Sequence, residues 1–487
     1  MKRKKVLIGL IVAAFLGGGQ FVSAQPKANY QNNLIEIGPD NIGGRVRSII
    51  VDEANPAHTT LYAGGVAGGL YRKDGNDTWK YIPYIVNNQE ITLPISYMIQ
   101  LPDNSLLIAT GEGFVEEHGT LIERMAPKGR GVYHFNPSDN SFTLLAATNP
   151  KTDSRWTYVN KLAAFERDGN LYVYAATTEG LFRWAFNAAN PDWSAAPSLA
   201  MAGNFQDVIF ITADNVAYAS CPGRLVRVGN VTAQSTPVDV THSNSAFANS
   251  SRIVLAANTE HAYDSTSASY THTTYLYAMV ANSHGLLDAV YLTTDQQTWS
   301  RLTTATITPF TSNKNPGYRD AAIAINPKNY KEIVIGGASL WRGQGFVPNS
   351  YYQWEKISYS EEELNTSNYM SQAYSSVMFM HSGIHQIVYT FEKNAAGDSI
   401  WKIYCATDGG VFKMNPVSDS IQNINKGFNT VQFNDIAISP DGSIIGGAVD
   451  NSCPFIQSRN AHNGGVPTND WYDDDPNSNM NHIGSVL

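Results

Sequence analysis

The stretch SIIVDEANPAHTTLYAGGVAGGLYR, from Ser48 to Arg72, contains a strand-turn-strand pattern that recurs along this chain. A β-branched run leads to Asn55-Pro56, a second apolar run follows, and a small-residue turn precedes a short aromatic strand. Apolar runs bounded by Gly, Asn and Pro are typical of strands joined by tight turns. Further copies of the phrase begin at Tyr97, Leu162, Ala322, His385 and Asp435, and weaker ones near Phe205 and Ser250.

Self-similarity at a period of tens of residues predicts a repeat architecture. Units of about 40–50 residues built only of strands are typical of β-propeller blades, because radially packed sheets cover each other's faces. We therefore predict an all-β fold, a β-propeller of about seven to eight four-stranded blades, WD40/YVTN-like or sialidase-like. Its last blade could be incomplete at the C-terminus, and an array of β-sandwiches or a β-solenoid is the alternative.

The N-terminus has the pattern of a secretory signal peptide. Lys2 to Lys5 are basic, Val6–Leu16 form an uninterrupted apolar run, and the stretch that ends at Ala24 supplies a cleavage site. That run is shorter than the roughly 20 helical residues that span a bilayer. We expect an exported protein that is secreted, periplasmic, outer-membrane-associated or extracellular, with no transmembrane span.

Composition restricts the partners. The net charge is −9, and removal of residues 1–24 with their four positive charges makes it −13, so a nucleic acid partner is disfavoured. Charged residues make up 15% of the chain, whereas Tyr and Gly are abundant, which fits β architecture with many turns. Three cysteines are too few for a disulfide-built scaffold, although one bridge stays open.

Two stretches resemble the Asp-box turn of the sialidase superfamily, roughly Ser/Thr-x-Asp-x-Gly-x-Thr-Trp. Residues 72–79 read RKDGNDTW, with Arg and Asn where Ser and Gly belong, and residues 293–299 read TTDQQTW, one residue shorter. The resemblance implies that Asp and Ser/Thr hold the turn between the outer two strands of a blade and that Trp packs between blades. The structural residues assigned in this way are Asp74, Thr78, Trp79, Asp295, Thr298 and Trp299.

Longer phrases resemble the exported sortilin-like and Asp-box (BNR) propellers of bacterial envelopes. They are IGPDNIGGRVRSI at 37–49, ATGEG at 109–113, and ATDGGVF with AVDN at 406–412 and 448–451. The resemblance covers nearly the whole chain after residue 24 and implies the shape of the sialidase superfamily. It implies no particular activity, because one fold hosts many functions.

Two enzyme hypotheses depend on single residues. A sialidase needs arginines that pair with a substrate carboxylate, but the usual Arg-Ile-Pro motif is absent. Arg45 and Arg47 are predicted to bond strand-end carbonyls, with ligand binding as the alternative. A xyloglucanase-like enzyme would have its general base where this chain has Val66, which cannot accept a proton. Asp408, at the comparable place in a later phrase, is predicted to stabilise a turn, with catalysis as the alternative.

An acidic loop is the other candidate site. Glu112, Glu116, Glu117 and His118 crowd one loop, where carboxylates could bind a ligand or cation or act as acid and base. Glu112 is thus a weak catalytic candidate as well as a binding one. A solvated acidic loop is the favoured interpretation.

No metal site is predicted. His381 and His385 would face each other on a helix, but the apolar run after them predicts a strand, where they are about 13 Å apart. The stretch DWYDDDPNSNMNH at 470–482 offers oxygen ligands for calcium without the spacing of an EF-hand, so a polar tail is favoured. No cofactor is predicted, and calcium is left open.

The sequence thus predicts an exported, non-catalytic propeller that binds a protein, peptide or glycan at the cell envelope or outside the cell, with a link to a secretion system left open. The alternative is a glycoside hydrolase of sialidase or xyloglucanase-like type. The predicted segments are a signal peptide at 1–24, an N-terminal lead at 25–36, the propeller at 37–460, and a polar tail or unfinished blade at 461–487.

Overall fold

A computed structural model describes the chain from Ile42 onward. The residues described are 42–114, 116–117, 120–121, 127–264, 269–303, 307–311, 316–346, 351–361, 363, 378–394, 396–440, 443–449, 451, 453–456 and 472–473. The predicted signal peptide, the N-terminal lead and most of the predicted tail lie outside these residues.

The described residues form eight four-stranded antiparallel sheets and two small hairpins. The first four sheets and the hairpins comprise Val46–Val51 (β1), Thr60–Gly65 (β2), Gly69–Asp74 (β3), Lys80–Ile82 (β4), Ile85–Val86 (β5), Gln89–Glu90 (β6), Ile95–Gln100 (β7), Leu106–Thr110 (β8), Glu116–Glu117 (β9), Thr120–Leu121 (β10), Val132–Asn136 (β11), Ser141–Leu144 (β12), Val159–Arg167 (β13), Asn170–Thr177 (β14), Gly180–Asn187 (β15), Ser198–Ala202 (β16), Asp207–Ile211 (β17), Val216–Cys221 (β18), Arg224–Val228 (β19) and Val238–Asp239 (β20). The last four comprise Ser250–Asp264 (β21), Ser269–Asn282 (β22), Leu287–Thr293 (β23), Ser300–Arg301 (β24), Ala322–Asn326 (β25), Asn329–Gly336 (β26), Trp341–Phe346 (β27), Tyr351–Lys356 (β28), Gln386–Lys393 (β29), Ser399–Thr407 (β30), Gly410–Asn415 (β31), Ser420–Asn423 (β32), Phe433–Ile438 (β33), Ile444–Ala448 (β34), Pro454–Ile456 (β35) and Tyr472–Asp473 (β36).

Seven of these sheets form a closed ring. The first strand of each sheet is the inner strand and contacts the inner strand of the next, in the order β1, β7, β13, β17, β21, β25, β29. β29 and β30 then pack back on β1. The predicted propeller is therefore confirmed, and its blade number is seven.

Period-two alternation explains why each blade needs a neighbour on both sides. In β14, Leu171, Val173 and Ala175 join a core with Leu107 of the preceding blade. The intervening residues Tyr172, Tyr174 and Ala176 join a separate core that includes Val208 of the following blade. One strand thus supplies two apolar faces, which only a radial arrangement can cover on both sides.

The first and seventh blades meet at a seam. Each consists of four strands that are consecutive in the chain, so the ring closes by packing and by hydrogen bonds between blades. The Trp79 indole donates to the Ile424 carbonyl at 2.7 Å, and the Tyr71 hydroxyl donates to the Asn429 carbonyl at 3.0 Å. Gly44 lies so close to Thr430 that an added Cβ would be 2.1 Å from its carbonyl oxygen, so the sequence needs glycine there.

The eighth sheet, β33 to β36, follows the ring in the chain. Its first strand is largely exposed, including Ile436 and Ile438 at 55% and 62%. In the part of the chain that the structure describes, helices are single turns such as Ser245–Ala248 (α1), and none could cross a membrane. Cys221 and Cys405 are buried free thiols.

Candidate functional site

The central channel gathers polar side chains at one end. Because the blades share one topology and follow one another around the ring, their inner strands run in the same direction and begin at the same end. Directly before or at the first positions of these strands stand Arg45, Arg47, Asn160, Lys161, Gln206, Asp207, Arg252, Arg319, Asp320 and His385. We call the ionic group at the channel mouth, Arg45, Arg47, Glu112, Arg319, Asp320, His385 and Asp408, the channel cluster.

Glu112 is the anion that joins the two arginines around β1. Arg45 precedes β1, Arg47 lies at a bulge between Val46 and Ser48, and both side chains reach Glu112. Arg47 donates from Nε to Glu112 Oε1 at 2.7 Å, and Arg45 donates from Nη1 to Glu112 Oε2 at 2.9 Å. Arg47 also donates to the carbonyl of Arg319, which lies in the turn before β25 and not at a strand end.

Glu112 is fully ionised in this setting. Burial by itself would raise the pKa of the carboxyl, which is 1% exposed, but Arg45 and Arg47 outweigh burial and lower the pKa to about 2. The favoured prediction of a solvated acidic loop is therefore wrong for Glu112. Glu116 and Glu117 lie in the β9–β10 hairpin, their side chains are outside the description, and His118 is outside the described residues.

Asp408 lies on the other side of Arg45. Its Oδ1 accepts from Arg45 Nε at 2.8 Å and contacts His385 Nε2 at 2.7 Å, and the residue is 1% exposed. The turn itself is held by Thr407, whose hydroxyl accepts from the Gly409 amide. The prediction that Asp408 stabilises its own turn is therefore wrong, since its carboxylate forms an ion pair with Arg45 at the start of the adjacent first blade.

His385 lies between two carboxylates. Burial, followed by the nearby Arg47, holds its pKa well below the usual range, so the imidazole is neutral. Because a carboxylate can only accept, the neutral ring donates Nε2–H to Asp408, and Nδ1 then faces Asp320 Oδ1 at 3.5 Å. His385 immediately precedes β29 and His381 lies in the loop before it, so neither histidine is within the predicted strand.

Asp320, His385 and Asp408 also have the composition of a metal site, with one potential ligand atom each within 4.8 Å of one another. However, the Arg319 guanidinium donates to Asp320 through two nitrogens, from Nε at 3.0 Å and from Nη2 at 2.9 Å. The Arg45 Nε donates to Asp408 Oδ1. These guanidinium groups repel a cation and use the oxygens that a metal would need. The three residues fit an internal ion network better than a metal centre.

A second group of side chains lines the channel beside the cluster. Arg252 donates to the Arg319 carbonyl at 2.7 Å, so two guanidinium groups, those of Arg47 and Arg252, converge on one oxygen. Both also lie over the ring of Phe114, with centroid distances of 4.9 and 4.3 Å. Lys161 pairs with Asp207 at 2.5 Å.

The two Asp-box-like stretches join the third and fourth strands of their blades. Asp295 accepts from the Thr293 hydroxyl and from the Gln297 and Thr298 amides, and these backbone hydrogen bonds lower its pKa. The Trp299 ring packs edge-on against Phe247 with centroids 5.0 Å apart.

The other copy, in the first blade, has different contacts. Asp74 accepts from the Thr60 hydroxyl at 3.0 Å and from Arg72. Thr78 lines the seam between the first and seventh blades, and Trp79 is buried in it at 3% exposure.

Sequence reasoning did not identify Lys161, Gln206, Asp207, Arg252, Arg319 or Asp320 as site residues. One signal could have found them, because each polar residue stands immediately before the apolar run that begins a repeat. Aligned on that run, the repeats read GRVRSII, NKLAA, QDVIF, SRIVL, RDAAI and HQIVY. Only ring closure makes these positions meet.

The fold and the site define a seven-bladed β-propeller with a buried ion network at one end of its channel. No protein-family model matches the chain, and no curated protein matches its sequence.

Solved structures similar to the chain include the following three. For the extracellular domain of the hybrid two-component system BT3049 from B. thetaiotaomicron, identity is 10% and the TM-score 0.35, with 88% of this chain and 52% of that chain covered. The chain thus spans about half of that domain. The WD40 β-propeller domain of Doa1 is 9% identical over 76% of this chain and 92% of that one, with a TM-score of 0.38. YCF48 bound to D1 peptide is 11% identical over 76% of this chain and 92% of that one, with a TM-score of 0.43.

Proposed function

We propose that this protein is an exported, non-catalytic β-propeller of the Asp-box, sortilin-like kind that binds a protein, peptide or glycan. The binding surface is the loop face around the channel mouth, at the cell envelope or outside the cell. A role beside a secretion system is compatible with this location.

The observation that carries the non-catalytic assignment is the pairing of the two weak catalytic candidates with arginines. A glycosidase needs one carboxyl group that stays protonated to donate to the leaving group and one that is free to attack or to activate water. Glu112 has a lowered pKa of about 2 and is 1% exposed, so it cannot be the acid. Asp408 is equally buried and is held by Arg45.

The position of Val66 supports the same conclusion. It lies in the β2–β3 turn of the first blade, as Asp408 lies in the β30–β31 turn of the seventh, and it is 3% exposed. A xyloglucanase-like base at this place is replaced by an apolar side chain. The glycoside hydrolase alternative therefore has no proton acceptor there.

Support for the Asp-box assignment comes from the third-to-fourth strand turns. The Asp295 carboxylate accepts hydrogen bonds from two backbone amides and one hydroxyl, which is the arrangement that the motif implies. Support for ligand binding comes from the channel mouth, where the side chains of Arg45 and Arg319 keep 16% and 21% exposure. These two cations are accessible from the loop face.

We expect the purified protein lacking residues 1–24 to bind a ligand without converting it. Fluorogenic sialosides and β-glucan oligosaccharides should show no turnover above buffer, while a glycan array and a peptide array identify ligands. The matched comparison is Arg319→Gln, which should weaken loop-face binding, against Arg167→Gln, because Arg167 ends β13 at the end of the blade opposite the channel mouth. Turnover that disappears in Asp408→Ala or Glu112→Ala would show that the protein is a hydrolase.

Export predicts a defined mature N-terminus. We expect the secreted or periplasmic form to begin at Gln25, because the basic residues, apolar run and small residues before it form a cleavable signal. Intact-mass measurement of the exported protein checks this. Ala24→Phe should block processing because signal peptidase requires a small residue there, whereas Ala28→Phe should not; a mature protein that starts at Met1 would contradict the prediction.

A further inference from the structure

The channel contains a cavity of about 110 Å³ to which all seven blades contribute. Arg47 comes from the first blade, and the other blades contribute polar and apolar side chains in turn. The lining residues that bear on ligand chemistry are Phe114, Asn160, Lys161, Gln206, Asp207 and Arg252. At about 30 Å³ per water in the liquid, the space suits a ligand of a few heavy atoms.

The charges around this cavity do not cancel. The channel cluster and the cavity together contain five cationic side chains, those of Arg45, Arg47, Lys161, Arg252 and Arg319. Among the described residues of the channel, four carboxylates oppose them, those of Glu112, Asp207, Asp320 and Asp408. With His385 neutral, one positive charge remains in excess among these described residues. An uncompensated charge in a buried site is costly, so the channel favours one added negative charge.

Two buried amide side chains have polar atoms without partners in this cavity. Gln206 is 2% exposed, and neither its Oε1 nor its Nε2 forms a hydrogen bond with the described protein. Asn160 is 1% exposed; its Nδ2 donates to the Phe205 carbonyl, whereas its Oδ1 has no partner. Buried polar atoms without partners are costly, so such atoms indicate a group that completes the site.

We propose that this cavity binds a small monovalent anion, either an inorganic ion or the carboxylate of a molecule of acetate size. Arg47, Arg252 and Gln206 Nε2 supply donors from the first, fifth and fourth blades, and the Phe114 ring forms an apolar wall. The anion neutralises the excess charge and links inner strands across the ring. This site is separate from the loop-face partner and does not depend on it.

The ligand test uses the purified protein lacking residues 1–24 in chloride-free buffer, with ionic strength held by gluconate, which is too large for the cavity. Sodium acetate, sodium chloride and neutral acetamide are titrated by calorimetry, and the midpoint of thermal unfolding is followed. We expect saturable binding of at least one anion in about the micromolar to millimolar range, at least tenfold tighter than acetamide. Binding of acetate without chloride assigns a carboxylate, and the reverse assigns an inorganic ion.

Variants locate the anion. Gln206→Leu removes an amide that has no partner, so the protein should stay folded and lose at least tenfold in anion affinity. Arg252→Gln should lower the anion affinity by the same factor. Arg183→Gln is the matched control, since Arg183 is also buried, donates to a backbone carbonyl and lies over a Tyr172 ring, but is outside the cavity. Equal binding of acetate and acetamide, no anion binding by folded protein, or wild-type affinity in Gln206→Leu would each overturn the proposal.

Discussion

Replacing Glu112 with alanine is expected to lower the free energy of unfolding by about 3–5 kcal/mol, because two guanidinium groups would lose their shared anion inside the channel. Arg47 has 2% side-chain exposure and Arg45 16%, so water can replace the lost carboxylate only in part. Urea denaturation followed by tryptophan fluorescence measures the change. Glu53→Ala is the matched control, because Glu53 is exposed at the end of β1 and outside the cluster.

The same carboxylate makes stability depend on pH. The pKa of Glu112 is about 2 in the folded protein against its usual 4.5, so its contribution is fully present above about pH 4.5 and is lost as pH falls through about 2. We expect the difference in unfolding free energy between the wild type and Glu112→Gln to shrink over that interval. A difference that stays constant down to pH 2 would show that the charge of Glu112 is not what stabilises the cluster.

Replacing Trp79 with alanine is expected to cost about 3–5 kcal/mol, the range for a buried aromatic side chain. Trp79 fills the seam where the ring closes, packs against Phe428 at 5.2 Å, and bonds the Ile424 carbonyl. The loss should therefore loosen the contact between the first and seventh blades. Hydrogen exchange at the Ile424 and Val411 amides should accelerate together with the drop in stability.

Trp299→Ala is the matched control for the seam. Trp299 occupies the same place in the other Asp-box-like turn, but it packs between the fourth and fifth blades, against Phe247 of α1, and is only partly buried. We expect a smaller loss of stability and unchanged exchange at the seam amides. Equal losses in the two variants would mean that ring closure does not depend on Trp79 in particular.

The role of Asp408 could not be predicted from the sequence alone. The phrase around Asp408 identified a turn with a carboxylate at its tip, and local spacing favoured a role within the turn. The structure connects Asp408 to Arg45, which is 363 positions away in the chain. No local pattern contains such a pairing, because it arises only when the seventh blade returns to the first.

Local sequence patterns were enough to predict the repeat, the strand pattern and the propeller class, since alternating apolar runs and turn residues act over a few positions and recur in each copy. Tertiary structure decided that seven blades close the ring. It also decided that the polar residues at the start of successive inner strands meet in one channel. Ring closure depends on the packing angle between blades, which sums over the whole chain. The ionisation of Glu112 and the neutrality of His385 follow from that closure, because only there do burial and arginine charge act on the same side chain.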